Sequence, residues 1–257
     1  MSESRSYLAR LLHVLEFVAE HTGAVTLTEV SEGTGVPVST ASRLMGLLTE
    51  RGYLVRGTSG SYTLGPRLAH LGLRTVAHLR GTQRLEEAAR DLSTKTGESV
   101  SAGLLVGAEI VLVARQEAAH PLRVVARVGD IIPAHVSAMG KAILAHLPEE
   151  RRRQMLSAGV GADKATAVLA DLRGELEQVL GDGYACDEQT YAVGQRCRAA
   201  AVLDHNGEAV GGLSIAGPAA RYTPEFADDS VPHLLAATAA LGTPGGDNGP
   251  VAARIRA

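Results

Sequence analysis

Ser39, Thr40, Ser42 and Arg43 bring three hydroxyls and one guanidinium together at the start of a helical segment. Hydroxyls and the free amides of a helix start bind phosphate oxygens, and an arginine can pair with guanine. The chemistry this spacing suits is the reading of double-stranded DNA, with Val38 beside the set and Thr28 on the preceding segment. Arg56, Ser59 and Ser61 surround a Gly/Ser turn further on, where contact with phosphate or the minor groove is the matching expectation. The plain alternatives are a capped surface helix and a solvated hairpin tip. The formal net charge of −3 argues mildly against nucleic acid, but its distribution does not. Residues 1–36 carry a balance of −3 and residues 37–67 one of +3. A phosphate-facing surface needs local positive charge, not a basic whole protein.

A second candidate lies at Ala138-Met139-Gly140-Lys141, where a loop enters a helix. Free amides at Ala138, Met139 and Gly140 could hold a carboxylate, helped by the helix dipole. Lys141 could add charge or merely pin the loop. The glycine spacing of a phosphate loop is absent. Cys186 and Cys197 make neither a disulfide framework nor a zinc pattern. The nine histidines show no metal spacing, His135 being the best placed of them. No metal and no cofactor is expected.

The elements that must position these residues follow from periodicity. Leu8, Leu11, Leu12, Leu15, Val18 and Ala19 make one apolar stripe on a helix over residues 6–20. A short second helix is expected with Thr28 as its N-cap and Val30 inward. Gly35-Val36-Pro37 stops it, and Ser39 caps a third helix reaching Arg51. Strands over 53–56 and 61–64 around the Gly/Ser turn read as a β-hairpin. Together these make a winged helix-turn-helix over residues 1–65. A linker helix over 66–81, broken at Gly81, joins it to a mixed α+β domain over 82–242.

In that domain a helix over 83–96 precedes strands over 99–106, 109–116 and 122–128. Helices follow at 138–147, 149–157 and 165–180, then strands at 197–203 and 209–216, then a helix over 224–241. The Gly/Pro/Ala-rich stretch 243–257 is expected to be disordered. Hydrophobic residues at 45% and charged ones at 21% are ordinary for a soluble protein. No apolar run approaches the roughly 20 residues that span a bilayer, so no membrane is involved and the cytoplasm is the expected compartment.

From Ser4 to about Leu241 the chain resembles the IclR family of bacterial regulators. Four segments carry the likeness: Thr34 to Leu44; Gly52-Tyr53-Leu54 through Tyr62-Thr63-Leu64-Gly65; Val128-Gly129-Asp130 with Ala138 to Ala142; and Gly183 to Glu188 with Gly194-Gln195-Arg196-Cys197 and Leu213 to Pro218. The resemblance implies a homodimer or homotetramer on a palindromic operator. It also implies a C-terminal domain similar to GAF and PAS sensor folds that binds a small organic acid.

Residues matching Asp187, Cys197, Ser214 and Ala216 line the effector pocket in that family. Taken alone, Cys197 reads as a small buried hydrophobe and Asp187 as a turn cap. The chain departs from the family pattern at Arg198, Ala201 and Ala216, where a β-branched residue, a proline and a second serine are usual. Period-two alternation groups Cys197 with Ala199 and Ala201, and Ser214 with Ala216. The expected function is therefore a ligand-responsive DNA-binding regulator, a repressor rather than an enzyme. The rivals are a regulator with a vestigial pocket and a thiol enzyme using Cys197 between Arg196 and Arg198.

Overall fold

A computed structural model describes residues 7–78 and 82–242. They fall into two compact units that divide between Ala77 and His78.

The first unit opens with α1 (Tyr7–Glu20), α2 (Leu27–Thr34) and α3 (Val38–Glu50). Val14, Val18, Val30, Leu44, Met45 and Leu48 close its core. The expected stripe on α1 is only partly used: of its residues Val18 alone is buried, beside Val14, which the stripe left out, while Leu8 and Leu12 stay 69% and 57% exposed. Thr28 does not cap α2. Thr26 does, accepting from the Glu29 amide while Glu29 reaches back to the Thr26 amide at 2.7 Å. This reciprocal box satisfies two donors at once, which Thr28 could not do. Gly35 ends α2 in the left-handed region (φ +67°), where a side chain would be strained. Ser39 does not cap α3 either. The helix begins two residues earlier than that cap implies, at Val38 with Pro37 at its N-cap, and Ser39 faces solvent within the first turn.

The hairpin forms as expected, from β1 (Leu54–Arg56) and β2 (Tyr62–Leu64), with Arg56 opposite Tyr62. A bridge between Val25 and Tyr62 ties it to the segment before α2. Helix α4 (Pro66–His78) follows. The expected break at Gly81 and the 243–257 stretch lie outside the described residues.

The second unit holds α5 (Thr82–Thr96), β3 (Ser99–Val106), β4 (Glu109–Gln116), β5 (Ile131–Ile132), α6 (Ala138–Ala145), α7 (Glu149–Val160), α8 (Ala162–Asp182), β6 (Ala185–Glu188), β7 (Gln195–Leu203), β8 (Ala209–Pro218) and α9 (Pro224–Gly242). Its six strands form one antiparallel sheet in the order β5-β4-β3-β8-β7-β6. Each face packs a separate core. Ala199 and Ala201 face Met139, Ile143, Leu172 and Leu176, while Ala200, Leu213 and Ile215 face Leu85, Leu92 and Leu234. The grouping of Cys197 with Ala199 and Ala201 follows from this alternation.

No strand forms over 122–128. Leu122, Val125 and Val128 are exposed, and the segment forms no ladder with the sheet. Instead the Leu112 amide donates to Asp130 O and the Gly129 amide to Leu112 O, so β4 meets a turn there and then the short β5, which forms that edge of the sheet. Residues 117–130 form a strap whose Val124 and Ala126 pack onto the core.

Candidate functional site

In the first unit, α3 presents Val38, Ser39, Ser42 and Arg43 to solvent, with Thr40 half-buried and Thr28 exposed on α2. The Arg43 guanidinium rests 5.1 Å from the centre of the Tyr7 ring, a contact between helices that spacing along the chain does not announce. In the wing, the Arg56 guanidinium lies 5.7 Å from the Tyr62 ring centre, and Ser59 and Ser61 share a 2.9 Å hydrogen bond. An exposed, hydroxyl-rich helix start and a cationic hairpin tip can together take phosphate and base edges.

In the second unit a cavity of about 280 Å³ lies on the α6 face of the sheet. That is close to the lower end of the roughly 300–1,000 Å³ usual for small-molecule sites. The strand register builds it. Ser101 pairs with both Arg115 and Ser214, making one row across β4, β3 and β8. Cys197 pairs with both Asp187 and Ala216, making the next row across β6, β7 and β8. Opposed residues of an antiparallel pair share a face, so both rows look into one space. Ser137, Ala138 and Met139 close it from the start of α6, and Val124 to Ala126 of the strap form another wall.

Asp187, Cys197, Ser214, Ala216, Ala138 and Met139 thus come together as expected. Gly140 does not line the cavity. Its amide is taken by Ser137 Oγ at 3.0 Å, and a Cβ there would meet the Ala134 backbone at 2.3 Å, so this glycine serves a close packing contact. Lys141 is buried and ion-paired to Glu175 at 2.5 Å, pinning α6 to α8 rather than facing the cavity.

Of the departures from the family pattern, only Ala216 lines the cavity. Arg198 faces the opposite side of the sheet, bonded to Glu188 at 2.6 Å and to Asp228 at 3.0 Å, and Ala201 lies beyond the lining. Arg196 also turns away, toward Glu188 and the carbonyls of Ala219 and Tyr222. The alternation that puts Cys197 into the cavity therefore puts both its cationic neighbours on the other face. Burial and the nearby Asp187 carboxylate push the Cys197 thiol up to about 12, which keeps it protonated and not nucleophilic. Cys186 points out on the arginine side, opposite Arg198.

Sequence reading missed Ser101, Arg115, Ser137, Tyr191 and Gln195. Arg115 donates through Nη1 to Ser101 Oγ at 2.6 Å and through Nη2 to Val124 O. Burial lowers its pKa from the ordinary value, opposed by Glu117 and Asp130, yet an arginine remains charged at any physiological pH. Plain alternation would put Arg115 on the face opposite Leu112. A β-bulge reverses this: Ala102 opposes Ala114, but Gly103 opposes Leu112, so Val113 is the extra residue and Leu112 and Arg115 share a face. Asp187 does cap a turn, its Oδ1 accepting from the amides of Thr190 and Tyr191 at 2.8 and 3.1 Å. Among the described residues no three His, Cys, Asp or Glu side chains gather as a metal site, and no helix is long and apolar enough to cross a membrane.

A model of the bacterial transcriptional regulator IclR C-terminal domain matches residues 74–242, and a model of the IclR helix-turn-helix domain matches residues 7–57. The chain is 31% identical to the transcriptional repressor IclR of Escherichia coli strain K12 over 222 residues, covering 84% of this chain and 81% of that protein. It is 30% identical to the acetate operon repressor of Salmonella typhimurium over 233 residues, covering 88% and 84%. Among solved structures, an IclR homologue from Microbacterium hydrocarbonoxydans complexed with 4-hydroxybenzoate superposes with a TM-score of 0.67 at 25% identity, covering 91% of this chain and 100% of that one.

Proposed function

The chain belongs to the IclR family of bacterial transcriptional regulators and is an effector-responsive DNA-binding regulator; on that premise we propose that it is a cytoplasmic repressor of a palindromic operator, controlled by a small organic acid in the cavity of its second unit. Thr28, Val38, Ser39, Thr40, Ser42 and Arg43 meet the major groove, and Arg56, Ser59 and Ser61 meet the backbone or minor groove beside it. A palindrome needs a two-fold protein. Leu8 and Leu12, exposed and apolar on α1, suit the contact that makes a dimer or a dimer of dimers.

The observation that carries the effector reading is the cavity itself, walled by Leu112, Met139 and Ala216 and carrying the polar groups of Ser101, Arg115, Asp187 and Ser214. A small number of placed polar groups within apolar walls is what fixes a small ligand. The relative solved with 4-hydroxybenzoate supports an organic acid. Ala216 supplies no hydroxyl, which favours a larger, partly apolar acid over a two-carbon one. A vestigial pocket would be expected to fill with side chains or lose its buried charges, and this one has done neither. The effector changes operator affinity only if it prefers one of two quaternary arrangements.

The test is selection of DNA from a random pool by the full chain, followed by titration of organic acids into the complex. A palindromic consensus whose affinity shifts with an aromatic or alkyl acid is expected. A consensus without two-fold symmetry, or affinity indifferent to every acid, overturns the proposal.

A further inference from the structure

We infer that Tyr7 is a positioning residue for DNA binding: its ring holds the Arg43 guanidinium in place on α3 and leaves the N–H donors free for DNA. The inference rests on the reading of Arg43 as a DNA contact given above and adds the residue that orders it.

Tyr7 opens α1, and Arg43 lies in the second turn of α3. Tyr7 is 40% exposed and stands outside the core cluster of its unit, which takes Val14, Val18 and Leu44 instead. Its ring carries the Arg43 cation 5.1 Å from its centre, inside the roughly 6 Å within which a ring face attracts a guanidinium. Among the described residues no carboxylate is ion-paired with Arg43. Glu50, at the far end of α3, is the only acid on that helix.

The kind of partner matters. An arginine side chain has large rotamer freedom, which a DNA contact must remove. A carboxylate would order it too, but by taking the same N–H fork that guanine O6 and N7 require. A ring face attracts the cation as a whole and takes none of its five donors. The aromatic contact therefore lowers the ordering cost on binding and leaves the fork open to a base edge or a phosphate. Ser39 lies one turn before Arg43 on the same exposed face, so the ordered cation and that hydroxyl address one stretch of DNA.

The wing carries a similar pairing, with Arg56 over Tyr62 at 5.7 Å. There the tyrosine is 7% exposed, belongs to the core and bridges to Val25, so the fold itself requires it. Tyr7 has no such place in the core. It is the pair in which ring and cation can be separated without disturbing the fold.

The experiment uses operator DNA selected from a random pool by the wild-type chain. It is titrated with the full chain carrying Tyr7→Leu, Tyr7→Phe or Tyr7→Trp, each with and without Arg43→Ala. A cation–π contact at an exposed site is worth about two- to fivefold in affinity for each copy of the chain bound. Tyr7→Leu should lose that much, in the same pattern over the selected sequences as the loss in Arg43→Ala. Tyr7→Phe, which keeps the ring, should rescue the affinity, and Tyr7→Trp should match or exceed it because indole attracts cations best. Once Arg43→Ala is present, Tyr7→Leu should change nothing further. Thermal melts and light scattering check fold and assembly, and the Phe and Trp variants decide if Tyr7→Leu fails either. Full affinity in Tyr7→Leu, an equal loss with and without Arg43, or a loss of about twofold or more in Tyr7→Phe or Tyr7→Trp overturns the inference while Arg43 stands as a DNA contact. Arg43→Ala that binds like wild type overturns both.

Discussion

In the first unit the side chains proposed to meet DNA stand in water, whereas in the second the cavity is lined in part by buried polar groups, Asp187 among them. Ser39, Ser42, Arg43 and Arg56 are exposed, so solvent satisfies them whenever DNA is absent. Arg115 and Asp187 each hold a polar atom that neither protein nor open solvent reaches. Such an atom costs about 1–3 kcal/mol in the free protein. The first unit can therefore lose a contact residue without losing fold. In the second, the site and the fold share the same atoms. The difference fits the proposed roles, since an exposed set suits a polyanion with many contacts and an enclosed cavity suits one small ligand.

The largest expected effect strikes the cavity's support. Gly140→Val drives side-chain atoms into the Ala134 backbone and should destabilise the protein by about 3 kcal/mol in denaturant unfolding. An unchanged unfolding midpoint would break the claim that site and fold are inseparable there. Arg43→Ala should do the opposite. It should cost roughly 1–3 kcal/mol of operator affinity and relax preference at one base position, with stability unchanged within about 0.5 kcal/mol. A uniform loss over all sequences would make Arg43 a phosphate contact.

A smaller effect tests the α2 cap. Thr26→Ala should cost about 1 kcal/mol of stability, and Thr28→Ala far less. The box also carries a pH signature. Hydrogen bonds from the Thr26 amide and hydroxyl lower the Glu29 pKa below 4.5. A depressed carboxylate contributes stability that is present above its unfolded pKa and lost as pH falls through the folded one. The stability difference between wild type and Thr26→Ala should therefore hold at neutral pH and shrink below about pH 4.5. The smallest effect is chemical. At pH 8 a thiol reagent should modify exposed Cys186 and spare Cys197, whose thiol is pushed up to about 12. Mass spectrometry that finds Cys197 modified first would reopen the thiol-enzyme reading.

Local signals made the first unit legible. A helix, a glycine turn, a second helix and a hairpin are each set by residues within a few positions, and the candidate reader falls on the surface those elements leave open. The misplacements were each of two residues, Thr28 for Thr26, because a cap is settled by which hydroxyl reaches an amide, and Ser39 for Pro37, because α3 opens with no side-chain cap bond at all. The 122–128 segment shows the limit on the other side. It has a strand's composition, but whether it pairs depends on what the β4 edge has beside it, and the Asp130 turn occupies that place.

The sequence by itself determined the two-unit architecture, the alternation that sends Cys197 and Ser214 to one face, and the exposed start of α3 proposed as the reader. All of these repeat along the chain with period 3.6 or 2. Only the tertiary structure decided which polar groups converge. Arg115 reaches the cavity because Val113 bulges out of the β3–β4 ladder and shifts every later β4 residue to the other face, and Asp187 meets it across five strands from a stretch 72 positions further along the chain. A bulge is set by how two strands fit, and a row of opposed residues by how five do. Neither fit is encoded in the spacing of any single segment.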